Sequence, residues 1–528
     1  MQSPESKLVT VSEEISDTLP VIGSGHAEVQ LSRGSLWVQA LILVLLYSAP
    51  GIWCFRIAGF ADPDVWWHLR TGEWILQHHA LPHTDPFSSF GAGKPWSAYS
   101  WLFDLLILQL FQRLGLTGLV TYSIGMVVAV AIALHRLIRR LQSDFSLTLL
   151  LTFAASYCLV DLGTPRSWWF SILFFVLELD ILMQARKTGK PRELLWLPVI
   201  FALWANLHIQ FIDGLIVLAF ALAEAALAHW WSGIETRIRP VWLWGVSVAC
   251  LLATLLNPYG WNVYRVAFDL ATMPGVLNKL NELSGIPFRS FSDFVVLFFV
   301  LAATWVLARA RRIAPFEIVL LAFAVIVSFR SQRDVWVVIT VACAILAARL
   351  KVKHENRFQL TAFAAPFVAI GTGLLIFLVF HAFHVGNAQM EKVLAKNLPV
   401  HAVEVVKERG YSGPLFNGYD WGGYLIWALR LPVSIDGRAG LYGDQWIGRS
   451  LATWNAQPDW ASDPDLAKAA LVVGPVKAPL TQVLRMNPHY ELVFEDKLAA
   501  VFVARRALPG RGEPLAVGVS ESPHATRK

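Results

Sequence analysis

Cysteine is scarce in this 528-residue chain: there are four, Cys54, Cys158, Cys250 and Cys343, each within an apolar segment and none near a histidine cluster. That excludes a disulfide scaffold and a thiolate zinc site. Charge is scarce too, at 16% of residues against 55% hydrophobic, and the mean hydropathy of +0.51 is too apolar for a soluble protein of this size. No Asn-x-Ser/Thr acceptor occurs, which favours a bacterial plasma membrane over an endoplasmic reticulum. The N-terminal stretch lacks the basic, apolar and small-residue order of a cleaved signal peptide. No internal repeat of the transporter kind is visible. The net charge of +6 carries no nucleic-acid signal, because the basic residues fall between apolar runs, where they set topology.

What is present in quantity is apolar sequence long enough to cross a bilayer. The first uncharged run, residues 36–55, meets the roughly 20 residues a span needs. Further runs follow at 117–134, 145–160, 167–182, 194–207, 214–231, 241–256, 294–307, 316–329, 335–346 and 361–380, so the reading is a polytopic α-helical membrane protein with about 11 transmembrane helices. Residues 99–114 are apolar but contain Asp104, and are read as an amphipathic helix lying at the interface. Segments assigned to the cytosol then hold 16 Lys and Arg against 3 in the short outer turns. That asymmetry puts the N-terminus inside and the C-terminal part outside. Residues 1–35 read as a disordered cytosolic tail, 36–385 as the membrane domain, 386–507 as a small extracytoplasmic α/β domain and 508–528 as a second disordered tail.

Between the first span and residue 116 lies the stretch that concentrates chemistry. Residues 60–101, FADPDVWWHLRTGEWILQHHALPHTDPFSSFGAGKPWSAYSW, carry Asp62, Asp64, His68, Arg70, Glu73 and Asp85. Carboxylates gathered where membrane meets water suit general-base work or metal binding; the plain alternative is a solvated loop with a tryptophan belt. Arg330 and Arg333, in FRSQRDVW, and Arg166, in DLGTPRSWW, fall on outer turns of the same face. An arginine fork suits phosphate, and equally a surface ion pair or a lipid headgroup. His208, in WANLHIQFID, is read as a structural helix-end histidine or a polar site residue. In the C-terminal part, strands are expected at 415–417, 432–436 and 471–473, a helix at 424–429 and a hairpin over 490–505.

The order D-V-W-W-H-L-R from Asp64, followed by T-D-P-F-S and P-W-S-A-Y, resembles the first external loop of oligosaccharyltransferase catalytic subunits, and the matching loop of the wider GT-C glycosyltransferases that use polyprenyl-phosphate-linked sugars. The resemblance implies a GT-C-like membrane domain in which Asp64, with Asp62 as helper, orients or deprotonates the acceptor or helps to hold a divalent cation such as Mg²⁺ or Mn²⁺. His68, Arg70 and Asp85 would lie on the substrate side, and Arg330, Arg333 and Arg166 would steady the phosphate. NGYDWGGY followed by SIDGR resembles the WWDYG region of the same enzymes, which makes Asp420, Trp421, Asp436 and Arg438 acceptor-side candidates. The leading Trp pair is missing and a second Gly is inserted, so sequon recognition does not carry over.

The reading is therefore an inverting transferase with a polyprenyl-phosphate sugar as donor and a glycan, lipid or protein as acceptor, working in a bacterial plasma membrane. The alternatives are a flippase or transporter of lipid-linked glycans, in which the loop is a lid, and a noncatalytic partner in envelope assembly.

Overall fold

The computed structural model describes residues 33–56, 62–230, 237–272, 283–312, 315–352 and 364–507. The expected tails, apart from residues 33–35, and the middle of a second long outer loop expected over residues 257–293 lie outside the described residues. The first half of the chain forms α1 (Arg33–Arg56), α2 (Val65–His78), α3 (Trp101–Leu114), α4 (Leu116–Leu141), α5 (Phe145–Leu159), α6 (Trp168–Thr188), α7 (Leu197–Leu207), α8 (Phe211–Trp230), α9 (Pro240–Thr254) and α10 (Asn262–Ala271). Then come α11 (Phe291–Ala308), α12 (Pro315–Arg330), α13 (Val335–Arg349) and α14 (Ala364–Ala382).

Seven of the described helical segments are long and apolar enough to cross a membrane: Leu36–Cys54, Leu116–Leu141, Phe145–Leu162, Trp168–Thr188, Phe211–Ala228, Phe291–Ala308 and Ala364–Ala382. The other four expected spans do form apolar helices, α7, α9, α12 and α13, but these have 11, 15, 16 and 15 residues. Their shortness has a packing basis in α13, where every residue from Trp336 to Ala347 is buried among neighbouring helices. A helix enclosed by protein is not length-matched to lipid. α13 packs on α5, α11 and α12, and α4 packs on α1, α5 and α6.

Local signals fix the helix ends. Asp144 caps α5 through the Leu147 amide, and Ser290 with Asp293 forms a reciprocal capping box on α11. The segment read as interfacial is α3, which turns into α4 at Gly115, where φ is +67°. Asn387 staples that corner: its Oδ1 accepts from the Thr117 amide, and its Nδ2 donates to the Leu114 carbonyl.

The C-terminal region contains α15 (Asn387–Asn397), α16 (Val400–Glu408), β1 (Leu415–Asn417), α17 (Gly422–Leu429), α18 (Ala439–Trp454), α19 (Pro464–Lys468), β2 (Leu471–Pro475), α20 (Pro479–Met486), β3 (Tyr490–Glu495) and β4 (Ala499–Ala504). One sheet has the order β1-β2-β4-β3, with β1 parallel to β2 and the other pairings antiparallel. Phe416, Trp454, Leu466, Val472, Leu480 and Phe502 fill its core. The expected hairpin and two of the three expected strands are present. Residues 432–436 do not join the sheet: Val433 bridges Ser88 of the first loop, and its backbone exchanges hydrogen bonds with Phe87 and Ser89 at 3.2 and 2.9 Å. Hydrophobic alternation there reflects burial against the loop rather than sheet pairing.

Candidate functional site

Asp62 and Asp64 stand immediately before α2, folded over Pro63 so that the Asp64 amide donates to Asp62 Oδ1 at 2.8 Å. This local turn aims both carboxylates at Arg166, two residues before the start of α6. Arg166 Nε donates to Asp62 Oδ2 at 2.5 Å, and its Nη1 lies 2.9 Å from Asp64 Oδ2. The guanidinium also sits over the Trp168 ring, 4.7 Å from its centroid. Its fork spans two carboxylates as a compact ammonium could not. The Asp62 side chain is 3% exposed and that of Asp64 16%, so Asp62 supports and Asp64 faces outward.

The C-terminal region forms a wall beside that carboxylate, and three glycines permit the approach. A Cβ on Gly437 would lie 2.7 Å from Asp64 Cγ; one on Gly423 would lie 2.5 Å from the Pro63 carbonyl oxygen; one on Gly422 would meet the backbone of Ile435 and Asp436. The inserted second Gly of the NGYDWGGY stretch is thus where α17 meets the first loop. Around these contacts a buried ionic clamp closes. Arg438 forks onto both oxygens of Asp436 and donates to Asp85 Oδ1 at 2.5 Å, while Tyr442 donates to Asp436 Oδ2 at 2.6 Å. Asp85 also accepts from Phe87, Ser88 and the Ser88 hydroxyl. Arg430 pairs with Glu73, which is shared with Arg70.

Five residues expected on the substrate side are therefore engaged inside the protein: Arg70, Asp85, Asp436 and Arg438 as above, and His68. His68 is 4% exposed, stacked on Trp67 with ring centroids 3.5 Å apart, and its Nδ1 lies 2.5 Å from Asp104 Oδ1. Burial holds the His68 imidazole well below the usual histidine range, with Arg166, His208 and Arg438 pushing the same way. Burial raises the Asp104 carboxyl well above its ordinary value. The two groups meet at the crossing of α2 and α3, where Gly72 lets the Asp104 backbone come close.

Of the three arginines expected to face phosphate, Arg166 bridges the aspartates, and Arg333 sits on a turn tied to the one after α7, where Gln210 donates to Asp334 Oδ1 at 2.8 Å. Tyr99 is within electrostatic reach of Arg333, Asp104, Asp64 and Arg166 together. The Arg333 side chain is 30% exposed, with Nε 3.7 Å from Asp334 Oδ1. Arg330, at the end of α12, is exposed and donates to the Ala271 carbonyl. Trp421 is buried in the shared core, while Asp420 is exposed.

Two residues that matter here, Tyr259 and Asn262, were not singled out from sequence. Tyr259 of the NPYGW stretch donates to the Pro82 carbonyl at 2.9 Å and accepts from the Ala98 amide, and Asn262 donates to Ser97. Both tie the second long loop to the first. His208 closes the turn after α7 against Ser171, and burial pushes its imidazole down to about 3, with the Arg333 charge acting the same way. An intramembrane-edge acid, Asp104, was the one legible sign of a partner for His68.

A divalent cation fits this donor set poorly. Among the described residues no three His, Cys, Asp or Glu side chains gather, and Arg166 already stands between the two aspartates. No protein-family model and no curated protein matches the chain.

Proposed function

We propose that this protein is a membrane glycosyltransferase of GT-C type, with about eleven spans, that moves a sugar from a polyprenyl-phosphate carrier to a glycan, lipid or protein acceptor with inversion. The observation that carries this reading is the bridging of Asp62 and the partly exposed Asp64 by Arg166, which comes from a separate interhelical turn; the Arg333 charge acts on the same Tyr99 hydroxyl as Arg166 and Asp64. A lipid-phosphate sugar already has a good leaving group, so the chemistry needs an acceptor held in line, a base for its proton and cationic support for the departing phosphate.

In this scheme the acceptor oxygen or nitrogen attacks the anomeric carbon from the side opposite the phosphate. The bond from that carbon to the phosphate oxygen breaks, and its electron pair stays on the phosphate. Asp64 takes the acceptor's proton, Asp62 and Arg166 fix the orientation of Asp64, and Arg333 faces the departing phosphate. The asymmetry of Lys and Arg supports a cytosolic N-terminus and an extracytoplasmic C-terminal region in a bacterial plasma membrane.

The test uses the purified full chain in lipid nanodiscs with a panel of polyprenyl-phosphate sugars and a membrane extract as acceptor. Mass spectrometry should find free polyprenyl phosphate with wild type, and release slowed on the order of 10²–10⁴-fold with Asp64→Asn. Equal release by both proteins removes Asp64 from the chemistry. No release by either, together with movement of the lipid-linked sugar between leaflets in vesicles holding wild type, replaces the transferase with a flippase.

A further inference from the structure

His208 occupies the turn between α7 and α8, and its ring is held from one side only. The Trp204 indole Nε1–H donates to Ser171 Oγ at 2.7 Å, and Ser171 Oγ is also 2.7 Å from His208 Nδ1. Trp204 can only donate, so it takes a lone pair of the serine oxygen and leaves the serine O–H to be placed. Among the described residues the only acceptor that Ser171 reaches is His208 Nδ1. The relay therefore runs from Trp204 to Ser171 to His208, and fixes Nδ1 as an acceptor. A neutral imidazole with Nδ1 accepting carries its hydrogen on Nε2.

The opposite edge of the ring has no hydrogen-bond partner among the described residues. His208 is partly exposed, and its turn is tied to that of Arg333 by Gln210 Nε2, which donates to Asp334 Oδ1 at 2.8 Å; the Arg333 charge reaches the ring. A second cation beside Arg333 would be repelled, whereas a neutral N–H is tolerated there and still donates. We propose that His208, locked as the Nε2–H tautomer by Ser171 and Trp204, is a neutral hydrogen-bond donor to a phosphate oxygen of the lipid-phosphate ligand, alongside Arg333. This rests on the transferase reading for its catalytic consequence. There, Nε2–H follows the oxygen that gains charge as the sugar–phosphate bond breaks, and it keeps its proton throughout, so the acceptor's proton still goes to Asp64.

The experiment separates the site from the reaction. Full-length protein labelled with ¹⁵N-histidine, in nanodiscs at neutral pH, is compared with His208→Gln to assign the His208 signals, then titrated with decaprenyl phosphate. The expected spectrum shows a protonated Nε2 and an unprotonated Nδ1, with the Nε2–H signal moving on addition of the lipid phosphate. A protonated Nδ1, an imidazolium, or a signal indifferent to saturating decaprenyl phosphate overturns the proposal, whatever the transfer assay gives. The kinetic arm expects His208→Ala to lower kcat on the order of 10²-fold, as for loss of one donor to a developing oxyanion. His208→Gln, whose amide N–H reaches a similar position, should recover most of it. Equal loss in both variants with the fold intact refutes a donor role. If the spectrum behaves as expected while wild type transfers no sugar, the phosphate site stands and the transferase reading falls.

Discussion

Gly437→Ala is the substitution that most directly probes how the two halves of the protein meet. Gly437 is not at a positive φ, so alanine is allowed by the backbone. The difficulty is space: the new methyl would stand 2.7 Å from Asp64 Cγ and closer still to Oδ1. Carbon atoms pack at about 3.5–4.0 Å, so the Asp64 side chain or the 436–438 backbone must yield by roughly 1 Å. The backbone is held by the Arg438 clamp, and Asp64 by Arg166 at 2.9 Å, so the strain falls on the weaker, partly exposed ion pair. Overpacking of this kind costs about 1–3 kcal/mol, and a displacement near 1 Å at a reacting group lowers a rate on the order of 10²-fold. The assay is sugar transfer in nanodiscs beside a thermal unfolding curve. Gly245→Ala serves as control, since nothing lies within 4 Å of a Cβ there and a helical alanine is stabilising by about 0.5–1 kcal/mol. If Gly437→Ala unfolded at the wild-type temperature and transferred at the wild-type rate, the contact between Gly437 and Asp64 would be refuted as a feature of the working protein.

Three further outcomes are expected. Arg438→Met leaves Asp85 and Asp436 buried without their cation, which should cost about 3–5 kcal/mol and open the junction between the first loop and the C-terminal region to protease; Arg438→Lys should recover little, because an ammonium cannot fork. For His68 and Asp104 the signs oppose. Between the unfolded values of about 4 and 6.5 the raised Asp104 carboxyl makes stability fall with pH while the lowered His68 imidazole makes it rise, so the two slopes oppose. Above about 6.5 the His68 contribution is complete, only the raised Asp104 carboxyl acts, and stability falls with pH until Asp104 ionises. Asp104→Asn should abolish that fall and leave stability rising with pH below about 6.5, as denaturant titrations across pH would show; an unchanged slope contradicts the shifted pair. Tyr259→Phe removes the link to Pro82 and Ala98, and should lower stability by about 1–2 kcal/mol with faster nicking within residues 82–98; resistance equal to wild type counts against it.

Much of the architecture was legible because it is written in local pattern. Apolar runs mark helices whatever their neighbours, and they appear as seven long helices and four shorter ones. The acidic pair and Arg166 were legible for a similar reason, as polar residues at the ends of such runs. What a single sequence hides is pairing across distance. Asp85 and Arg438 are 353 residues apart, and nothing near either one announces the other, so both read as substrate-side candidates with no sign that each is buried by its partner. His68 was misleading in the same way, since a polar residue between tryptophans looks exposed until Asp104 is brought under it. The length of α13 hid its depth, because a fully enclosed helix need not match a bilayer. The glycines at 422, 423 and 437 carry no sign in the sequence that each is a place where another backbone or carboxylate comes close.

The clamp at Arg438 also has a consequence in time. During synthesis Asp85 is made long before its cation, and at about 5–20 residues per second the 353 intervening residues take roughly 18–70 s. Asp62 waits for Arg166 over only 104 residues. The Asp62–Asp64 pair therefore acquires its cation early, from the membrane half, and is bridged by Arg166 well before the wall beside it exists. A ribosome stalled between residues 166 and 438 would hold a chain whose Asp64 is already oriented by Arg166 yet open on the side where Gly437 will stand.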